Sequence, residues 1–324
     1  MTKALVLGID GQDGSYLAEL LLEKEYQVIG WIPSNITVSL DNIRHLGNKI
    51  LLVNGDLRDQ AGLLACLEEH LPDEIYNLAA PSSPTASWND ASMVGNIAGL
   101  GVVRLLDAVR SVVPQAHFYQ ASSSELFGNP VEVPQRETTP FQPRNPYGIA
   151  KLYAHWLTVR YRERYGIHAL SGILFNHESP RRGEIFVTRK ITRRAAEIKL
   201  GLAEELRLGN LEARRDWGYA GDYVEAMWKM LQYNPAEDFV IGTGQTHSVR
   251  EFCELAFARL DLDYRDYVVQ DESFYRPVED AQLVADPSKA QALLGWQAQV
   301  SFTELVRKMV DHDLELLQKS LNQP

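Results

Sequence analysis

The residues best suited to chemistry are Tyr147 and Lys151, which follow a Ser-Ser-Ser-Glu run at 122–125. On a helix, side chains four residues apart lie on one face, about one turn from each other. Free tyrosine has a pKa of about 10 and is a poor base at neutral pH. A neighbouring ammonium favours the phenolate, so we expect Lys151 to lower the pKa of Tyr147. Such a phenolate can take a proton from a substrate hydroxyl, and Glu125 adds a second acid/base group.

The start of the chain contains a second motif. Lys3–Gly8 is a short apolar run typical of a β-strand, Gly8, Gly11 and Gly14 follow, and Ser15–Lys24 has the spacing of an amphipathic helix. In a strand–turn–helix unit, glycines let the backbone approach a pyrophosphate, which lies at the positive end of the helix. The sequence therefore predicts a dinucleotide site, and a bound nicotinamide would place its positive charge near Tyr147.

The elements that must position these residues alternate between strand and helix. The predicted strands are 3–8, 26–32, 50–54, 74–77, 117–122 and 169–175, and the predicted helices are 15–24, 40–46, 60–70, 91–112 and 145–165. This rhythm predicts an α/β fold with a doubly wound parallel sheet of the Rossmann type. After about residue 176 the elements become shorter, which predicts a smaller, interwoven C-terminal α/β lobe for the substrate. We expect 1–175 with about 210–245 to form the dinucleotide-binding domain, and about 176–209 with 246–324 to form the second lobe.

Composition excludes several classes of protein. The net charge of −11 argues against a nucleic-acid surface. Two cysteines, Cys66 and Cys253, do not imply a disulfide framework, so a reducing compartment is expected. No leader and no apolar run of spanning length are recognised, so we expect a cytoplasmic protein that does not bind a membrane.

Longer motifs resemble one branch of the extended short-chain dehydrogenases/reductases, the GDP-mannose 4,6-dehydratases. The resemblance runs nearly end to end, through the glycine run at 8–14, Tyr-Gln-Ala-Ser at 119–122, Pro-Tyr-Gly-x-Ala-Lys at 146–151, and the segments 172–180, 186–190 and 214–218. The resemblance implies oxidation at C4 of a GDP-hexose, loss of water across C5 and C6, and return of the hydride to C6. It also implies a nucleotide-sugar substrate, an NAD(P) cofactor, no metal, and assembly as a homodimer or homotetramer.

The same resemblance implies roles for individual positions. Four residues would be catalytic: Ser123 at the 4-oxygen, Glu125 as the C5 base, Tyr147 as the base for the 4-hydroxyl, and Lys151 beside it. Tyr147 and Lys151 would also touch the cofactor, together with Gly8, Gly11, Gln12, Asp13, Gly14, Asp56, Leu57, Ala79, Ala80, His177 and Arg182. The nucleotide sugar would be held by Ser124, Asn176, Val187, Lys190, Arg215, Arg276 and Glu279.

Four departures from the family pattern concern specificity. Ser34 and Asn35 stand where arginines usually hold the 2′-phosphate of NADP, which favours NAD although the resemblance itself implies NADP. Asp10 puts a carboxylate in the glycine turn, where it weakens cofactor binding unless it points away or bonds a backbone N–H. The Pro81–Pro84 segment and the Glu279-Asp280-Ala281 run also differ, both in segments expected to lie beside the sugar.

These departures leave two alternatives to the dehydratase hypothesis. One is an epimerase or decarboxylase that uses the same C4 oxidation, because Pro-x-Ser-Pro at 81–84 resembles UDP-glucuronate decarboxylases. The other is a nucleotide-sugar-binding protein without turnover. The set of Ser123, Glu125, Tyr147 and Lys151 argues against the second alternative, since a binding protein has no use for all four.

Overall fold

The computed structural model describes residues 1–34, 39–82, 84–274 and 282–322. The strands are β1 (Lys3–Leu7), β2 (Gln27–Pro33), β3 (Ile50–Gly55), β4 (Glu74–Asn77), β5 (His117–Ser123), β6 (Ala169–Leu174), β7 (Asn176–Glu178), β8 (Leu206–Leu208), β9 (Arg214–Arg215), β10 (Trp217–Tyr219), β11 (Phe239–Ile241), β12 (His247–Ser248) and β13 (Val268–Gln270). The helices are α1 (Gln12–Glu23), α2 (Gln60–His70), α3 (Ala91–Val94), α4 (Gly101–Val112), α5 (Pro146–Tyr165), α6 (Val187–Lys199), α7 (Ala220–Gln232), α8 (Val249–Ala258), α9 (Ser288–Leu294) and α10 (Phe302–Leu321).

In the described part of the chain, seven strands form one sheet in the order β11-β6-β5-β4-β1-β2-β3. Every strand pair in this sheet is parallel. Helices cover both faces: α1 and α7 contribute to one apolar cluster, and α2, α4 and α5 contribute to the other. A sheet buried on both faces needs largely apolar strands, and β1 is apolar from Ala4 to Leu7. The predicted doubly wound Rossmann-type fold is confirmed.

A third apolar cluster lies outside the sheet. Trp217 and Phe252 pack there among buried side chains of α6, α8 and α10. Three two-stranded pairs, β7 with β10, β9 with β12 and β8 with β13, surround it. The predicted change to shorter elements after residue 176 is therefore present, while the proposed domain boundaries stay a prediction.

Two sequence predictions are wrong. The segment 40–46 does not form an α-helix: it turns at 41–43 and continues as a 3-10 helix, Arg44–Lys49. Gly47 has φ 52°, a left-handed conformation that interrupts regular helix and suits glycine. The second wrong prediction is that no apolar run reaches the length of a membrane span. The helical run Ala91–Val112, which includes a π-helical turn at Gly95–Leu100, is long and apolar enough to cross a membrane by length and composition alone.

That helical run nevertheless packs inside the protein. Val102, Leu105, Leu106 and Val109 are buried in the apolar cluster formed with β1, β4 and β5. A core helix buried between a sheet and its neighbours needs an apolar face, and this accounts for the composition of the run.

Candidate active site

The glycine turn lies at the carboxyl end of β1, where open α/β sheets bind their ligands. Gly8 has φ 82°, and a Cβ at Gly14 would come within 2.2 Å of the Gly8 carbonyl oxygen. Glycine is therefore required at both positions. Gly11 caps α1 without a side-chain bond in the described structure, so the first N–H groups of the helix are available to an anion.

Next to this turn, Asp13 and His177 form a buried pair. The Nε2 of His177 lies 2.8 Å from a carboxylate oxygen of Asp13, and its Nδ1 lies 2.7 Å from the carbonyl oxygen of Phe175. Burial alone would raise the pKa of Asp13, but the charge of His177 and its hydrogen bond lower it overall. Burial likewise opposes the charged form of His177, yet Asp13 raises the pKa of the imidazole. Two predicted cofactor residues thus hold each other in the ionised state.

Gln12 joins the same turn to the segment after β7. Its Nε2 donates to the His177 carbonyl at 3.0 Å and to Asp13 at 3.0 Å, while its Oε1 accepts from Ser179 at 2.8 Å. These bonds fix the segment after β7 against the start of α1, so the predicted cofactor residues on both sides come together.

Tyr147 and Lys151 stand near the start of α5. Asn145 caps this helix by accepting from the Gly148 N–H at 2.8 Å, and Pro146 occupies its first position. Both side chains are buried, with exposures of 8% and 3%. Lys151 Nζ lies 5.7 Å from the centre of the Tyr147 ring and donates to the Ala121 carbonyl at 2.7 Å.

The expected low pKa of Tyr147 is wrong for the polypeptide alone. Burial raises the pKa of this phenol to about 12, and its hydrogen bond with Ser123 opposes the rise only in part. Burial also lowers the pKa of Lys151 to about 8. The neighbouring charge alone would favour the phenolate of Tyr147. Both groups also lose their surrounding water on burial, and this favours their neutral forms.

Glu125 and Ser123 face the same edge from the end of β5. Ser123 Oγ accepts from the Glu125 N–H at 3.2 Å and interacts with Tyr147. Asn145 Nδ2 donates to a carboxylate oxygen of Glu125 at 2.7 Å. A Cβ at Gly148 would lie 2.7 Å from the Glu125 carbonyl oxygen, so glycine lets α5 approach β5 closely. The structure therefore brings the four predicted catalytic residues together.

Arg182 is another predicted cofactor residue. Its Nε lies 3.1 Å from a carboxylate oxygen of the buried Glu178, and its guanidinium lies 3.6 Å from the centre of the Phe186 ring. The positive charge of Arg182 lowers the pKa of both Asp13 and Tyr147, which places it within electrostatic reach of the predicted dinucleotide and catalytic groups.

Four further predicted cofactor residues follow β3 and β4. Asp56 is paired with Arg58 at 2.6 Å, Leu57 is buried, and Ala79 and Ala80 are half-buried at the end of β4. All four lie at the carboxyl ends of strands, on the same edge as the glycine turn.

The residues that depart from the family pattern are only partly described. Ser34 donates its N–H to the Gly55 carbonyl at 3.0 Å. The Asp10 carboxylate bonds its own backbone N–H, while burial raises its pKa. Pro84 offers its carbonyl to the Ser87 hydroxyl at 2.5 Å, and Ser87 Oγ accepts from the Tyr147 N–H at 3.3 Å. The proline segment is thus tied to the helix that carries Tyr147. Asn35 and Ser83 lie outside the described residues.

The predicted substrate residues are less closely grouped. Asn176 begins β7, Val187 begins α6, and Ser124 is buried in a 3-10 turn after β5. Lys190 Nζ donates to the Arg207 carbonyl at 2.8 Å, and Arg215 donates to the Arg214 carbonyl at 2.7 Å. Arg276, Glu279, Asp280 and Ala281 lie outside the described residues.

Sequence reasoning missed several residues that hold this site. The predicted helix 145–165 starts at Asn145, but an Asn directly before Pro also signals a cap. Gln120, Asn77 and Glu178 are buried polar residues on β5, β4 and β7. For Gln120, a polar residue between Tyr119 and Ala121 in a buried strand was the available signal.

Comparison with known proteins settles the family. The model of the GDP-mannose 4,6 dehydratase family matches residues 5–309. This chain belongs to that family. GDP-mannose 4,6 dehydratase 1 of Arabidopsis thaliana is 49% identical over 98% of this chain and 91% of its own length. The human GDP-mannose 4,6 dehydratase is 48% identical over 98% of this chain and 93% of its own length.

Solved structures of related enzymes share the fold of this dehydratase family member. UDP-glucose 4-epimerase from Thermotoga maritima, solved with UDP-glucose, superposes with a TM-score of 0.87 at 25% identity, covering 99% of this chain and all of its own. The Thermus thermophilus UDP-glucose 4-epimerase complex with NAD gives 0.82 at 27% identity, over 96% and 99% of the two chains. The family resemblance predicted from the motifs is confirmed.

Proposed function

We propose that this protein is a GDP-mannose 4,6-dehydratase that forms the 4-keto-6-deoxy sugar. The observation that carries the proposal is the convergence of Ser123, Glu125, Tyr147 and Lys151 on one edge of the sheet, beside the glycine turn. Membership of the family supplies the substrate class, and the geometry supplies groups for proton transfer at two neighbouring carbons.

The residues present fit a dinucleotide. Positive φ at Gly8, the close approach at Gly14 and the uncapped start of α1 form a cradle for a pyrophosphate. Lys151 uses one of its three donors on Ala121, which leaves donors for a ribose hydroxyl. A bound NAD(P) would supply the hydride chemistry, that is, removal of the hydride from C4 and its return to C6.

Each catalytic side chain then has one task. Tyr147 takes the proton of the 4-hydroxyl, with Ser123 donating a hydrogen bond to the 4-oxygen and Lys151 stabilising the phenolate. The resulting ketone acidifies the hydrogen at C5, which Glu125 removes. The same carboxyl gives that proton to the departing 6-hydroxyl, so water leaves. Addition of the hydride at C6 and of a proton at C5, equivalent to the one that Tyr147 took, then gives the 4-keto-6-deoxy sugar with no net redox change. Asn145 holds Glu125 in place throughout.

The preference between NAD and NADP is the finer part of the proposal. Ser34 offers no guanidinium to a 2′-phosphate, and its N–H is bonded within the sheet. An unpaired phosphate would lose water without gaining a partner, so NADP should lose its usual advantage over NAD. Calorimetry with both cofactors tests this, and an NADP preference above about tenfold would contradict it.

The proposed assembly is a homodimer, with a homotetramer built from two such dimers as the larger form. The outer faces of α5 and the 91–112 run expose Leu100, Ile149, Tyr153 and Trp156 side by side. A large exposed apolar surface marks an interaction site, and a self-complementary one suits a symmetric pair. Sedimentation of Ile149→Glu should show dissociation, whereas Leu316→Glu, on the exposed side of α10, should not.

A reducing, cytoplasmic location is part of the same proposal. Cys66 and Cys253 are both buried free thiols. Buried cysteines of this kind act as small apolar side chains and do not indicate a disulfide framework.

One assay tests the function. The protein is incubated with GDP-mannose and other GDP-, UDP- and dTDP-sugars, and products are read by mass. Loss of one water from GDP-mannose is the expected result. Loss of carbon dioxide, or an isomer of unchanged mass, from another sugar would replace the proposal with the decarboxylase or epimerase alternative.

A further inference from the structure

A row of polar side chains crosses the middle of the sheet beneath α5. Asn77, Gln120 and Ser171 stand in register on β4, β5 and β6, and all three are at most 1% exposed. Side chains in register point to the same face of a sheet. Their neighbours two residues earlier, Ile75 and Phe118, belong to the apolar cluster under α4 and α5. Burying polar side chains in such a cluster costs free energy of folding unless they are hydrogen-bonded.

Hydrogen bonds connect this row to Lys151. Asn77 Nδ2 donates to Gln120 Oε1 at 2.8 Å. Gln120 Nε2 donates to the Ala121 carbonyl at 3.0 Å, and Lys151 Nζ donates to the same carbonyl at 2.7 Å. Because the Ala121 carbonyl can only accept, the NH₂ group of the Gln120 amide must face it. The amide oxygen then faces β4, where Asn77 donates to it.

We propose that Gln120 is a positioning residue for Lys151. It holds the Ala121 carbonyl as a fixed acceptor for the ammonium, and Asn77 donates to the other end of the Gln120 amide. This inference rests on the proposed function only for its kinetic consequences, because the state of Lys151 is measurable without substrate.

The surroundings of Lys151 explain why one carbonyl matters. Burial lowers the pKa of the ammonium to about 8, and the negative charge of Asp13 on α1 opposes this fall. Tyr147 lies on the same helix as Lys151. His155 lies one turn after Lys151, and burial lowers the pKa of His155. On the facing strands the row itself is uncharged. Ala121 therefore provides a principal stabilising contact of the charged form.

Two substitutions of Gln120 should move Lys151 in opposite directions. Gln120→Met fills the space but frees the carbonyl, so the pKa of Lys151 should fall by about half a unit or more. Gln120→Glu keeps an acceptor for Asn77 and adds a negative charge, so the pKa of Lys151 should rise by about one unit. NMR titration of protein labelled with ¹³C at the lysine ε-carbon reads this directly, with the Lys151 signal assigned through Lys151→Arg.

Ser171→Ala is the matched control, since Ser171 stands in the same row but its hydroxyl has no hydrogen-bond partner among the described residues. Lys151 should titrate in this variant as in the wild type. The inference is overturned if Lys151 titrates alike in all folded variants, or if Ser171→Ala shifts it as much as Gln120→Met. If Gln120→Met does not fold, Gln120→Asn decides, because its shorter amide keeps the row uncharged but loses the bond to Ala121, so the pKa of Lys151 should again fall.

Kinetics provide a second measurement, which a purely structural role of Gln120 would leave unchanged. In Gln120→Met, kcat near pH 8 should fall about twofold with KM nearly unchanged, and should recover toward pH 6.5, where Lys151 is again charged. An equal loss at both pH values would contradict the inference. Absence of turnover in the wild type would contradict the proposed function and leave the NMR result standing.

Discussion

The groups that would perform the chemistry and the cations that would grip the substrate are anchored in different ways. Tyr147 and Lys151 are buried, and Lys151 is bonded to a strand carbonyl in the core. Lys190 and Arg215 are only half-buried and bond to carbonyls at the periphery, those of Arg207 and Arg214.

The difference follows from what each group must do. Proton transfer needs donor and acceptor atoms held within a few tenths of an ångström, which a packed core provides. A cation that meets a flexible diphosphate can exchange a peripheral carbonyl for a phosphate oxygen at little cost. Substitutions at the catalytic edge should therefore reduce kcat, and substitutions among the cations should raise KM.

The largest effect is expected for Tyr147→Phe, which removes only the hydroxyl. Turnover of GDP-mannose should fall by at least about a thousandfold, because the base assigned to the 4-hydroxyl proton is lost. Binding of the nucleotide sugar, measured by calorimetry, should stay within about threefold of the wild type. Tyr153→Phe, on the exposed side of the same helix, is the control and should be fully active.

Glu125→Gln should give the next largest loss, about a hundredfold or more in dehydration. The amide retains an oxygen for the bond from Asn145, so the side chain stays in place while its basicity is lost. Transient reduction of the cofactor at 340 nm should persist, because the C4 step does not need this carboxylate. Dehydration at an unchanged rate would mean that another group removes the C5 proton.

These two residues also show what was predictable from the sequence. Tyr147, Lys151, Glu125 and the glycine turn sit at strand and helix ends that periodicity and capping signals locate well, because local rules govern such positions. The α2 helix and β4 were predicted with the bounds that the structure shows. The parallel sheet then brings their ends to one edge, whatever the loops do.

Other features could not be derived from sequence because they depend on three-dimensional burial. The high pKa of Tyr147 arises from desolvation by residues remote in sequence. The bond from Gln120 to Ala121 depends on how Asn77 of another strand meets the amide. The failed helix at 40–46 shows that an apolar pattern does not outweigh a glycine in a left-handed conformation.

A smaller effect of a different kind is expected for Lys190→Ala. Loss of a cation that is proposed to bind the diphosphate should raise KM for GDP-mannose about tenfold while kcat changes less than about twofold. Lys199→Ala, at the other end of α6, is the matched control and should leave both unchanged. A fall in kcat with unchanged KM would remove the distinction between the two groups of residues.

The smallest effect is expected at Asp10, whose carboxyl lies in the glycine turn. Burial raises the pKa of this carboxyl, and its bond to its own backbone N–H opposes the rise only in part. A pyrophosphate nearby would disfavour the charged form further, so cofactor binding should take up a proton and strengthen as pH falls. Asp10→Asn, a neutral isostere, should bind NAD(P) about fivefold more tightly at pH 7.5, the equivalent of ~1 kcal/mol, and should lose the pH dependence. Calorimetry in buffers of different ionisation enthalpy measures the proton uptake directly. If wild type and Asp10→Asn bind alike from pH 5 to pH 8, the carboxylate points away from the pyrophosphate, and the turn tolerates it because of the backbone bond alone.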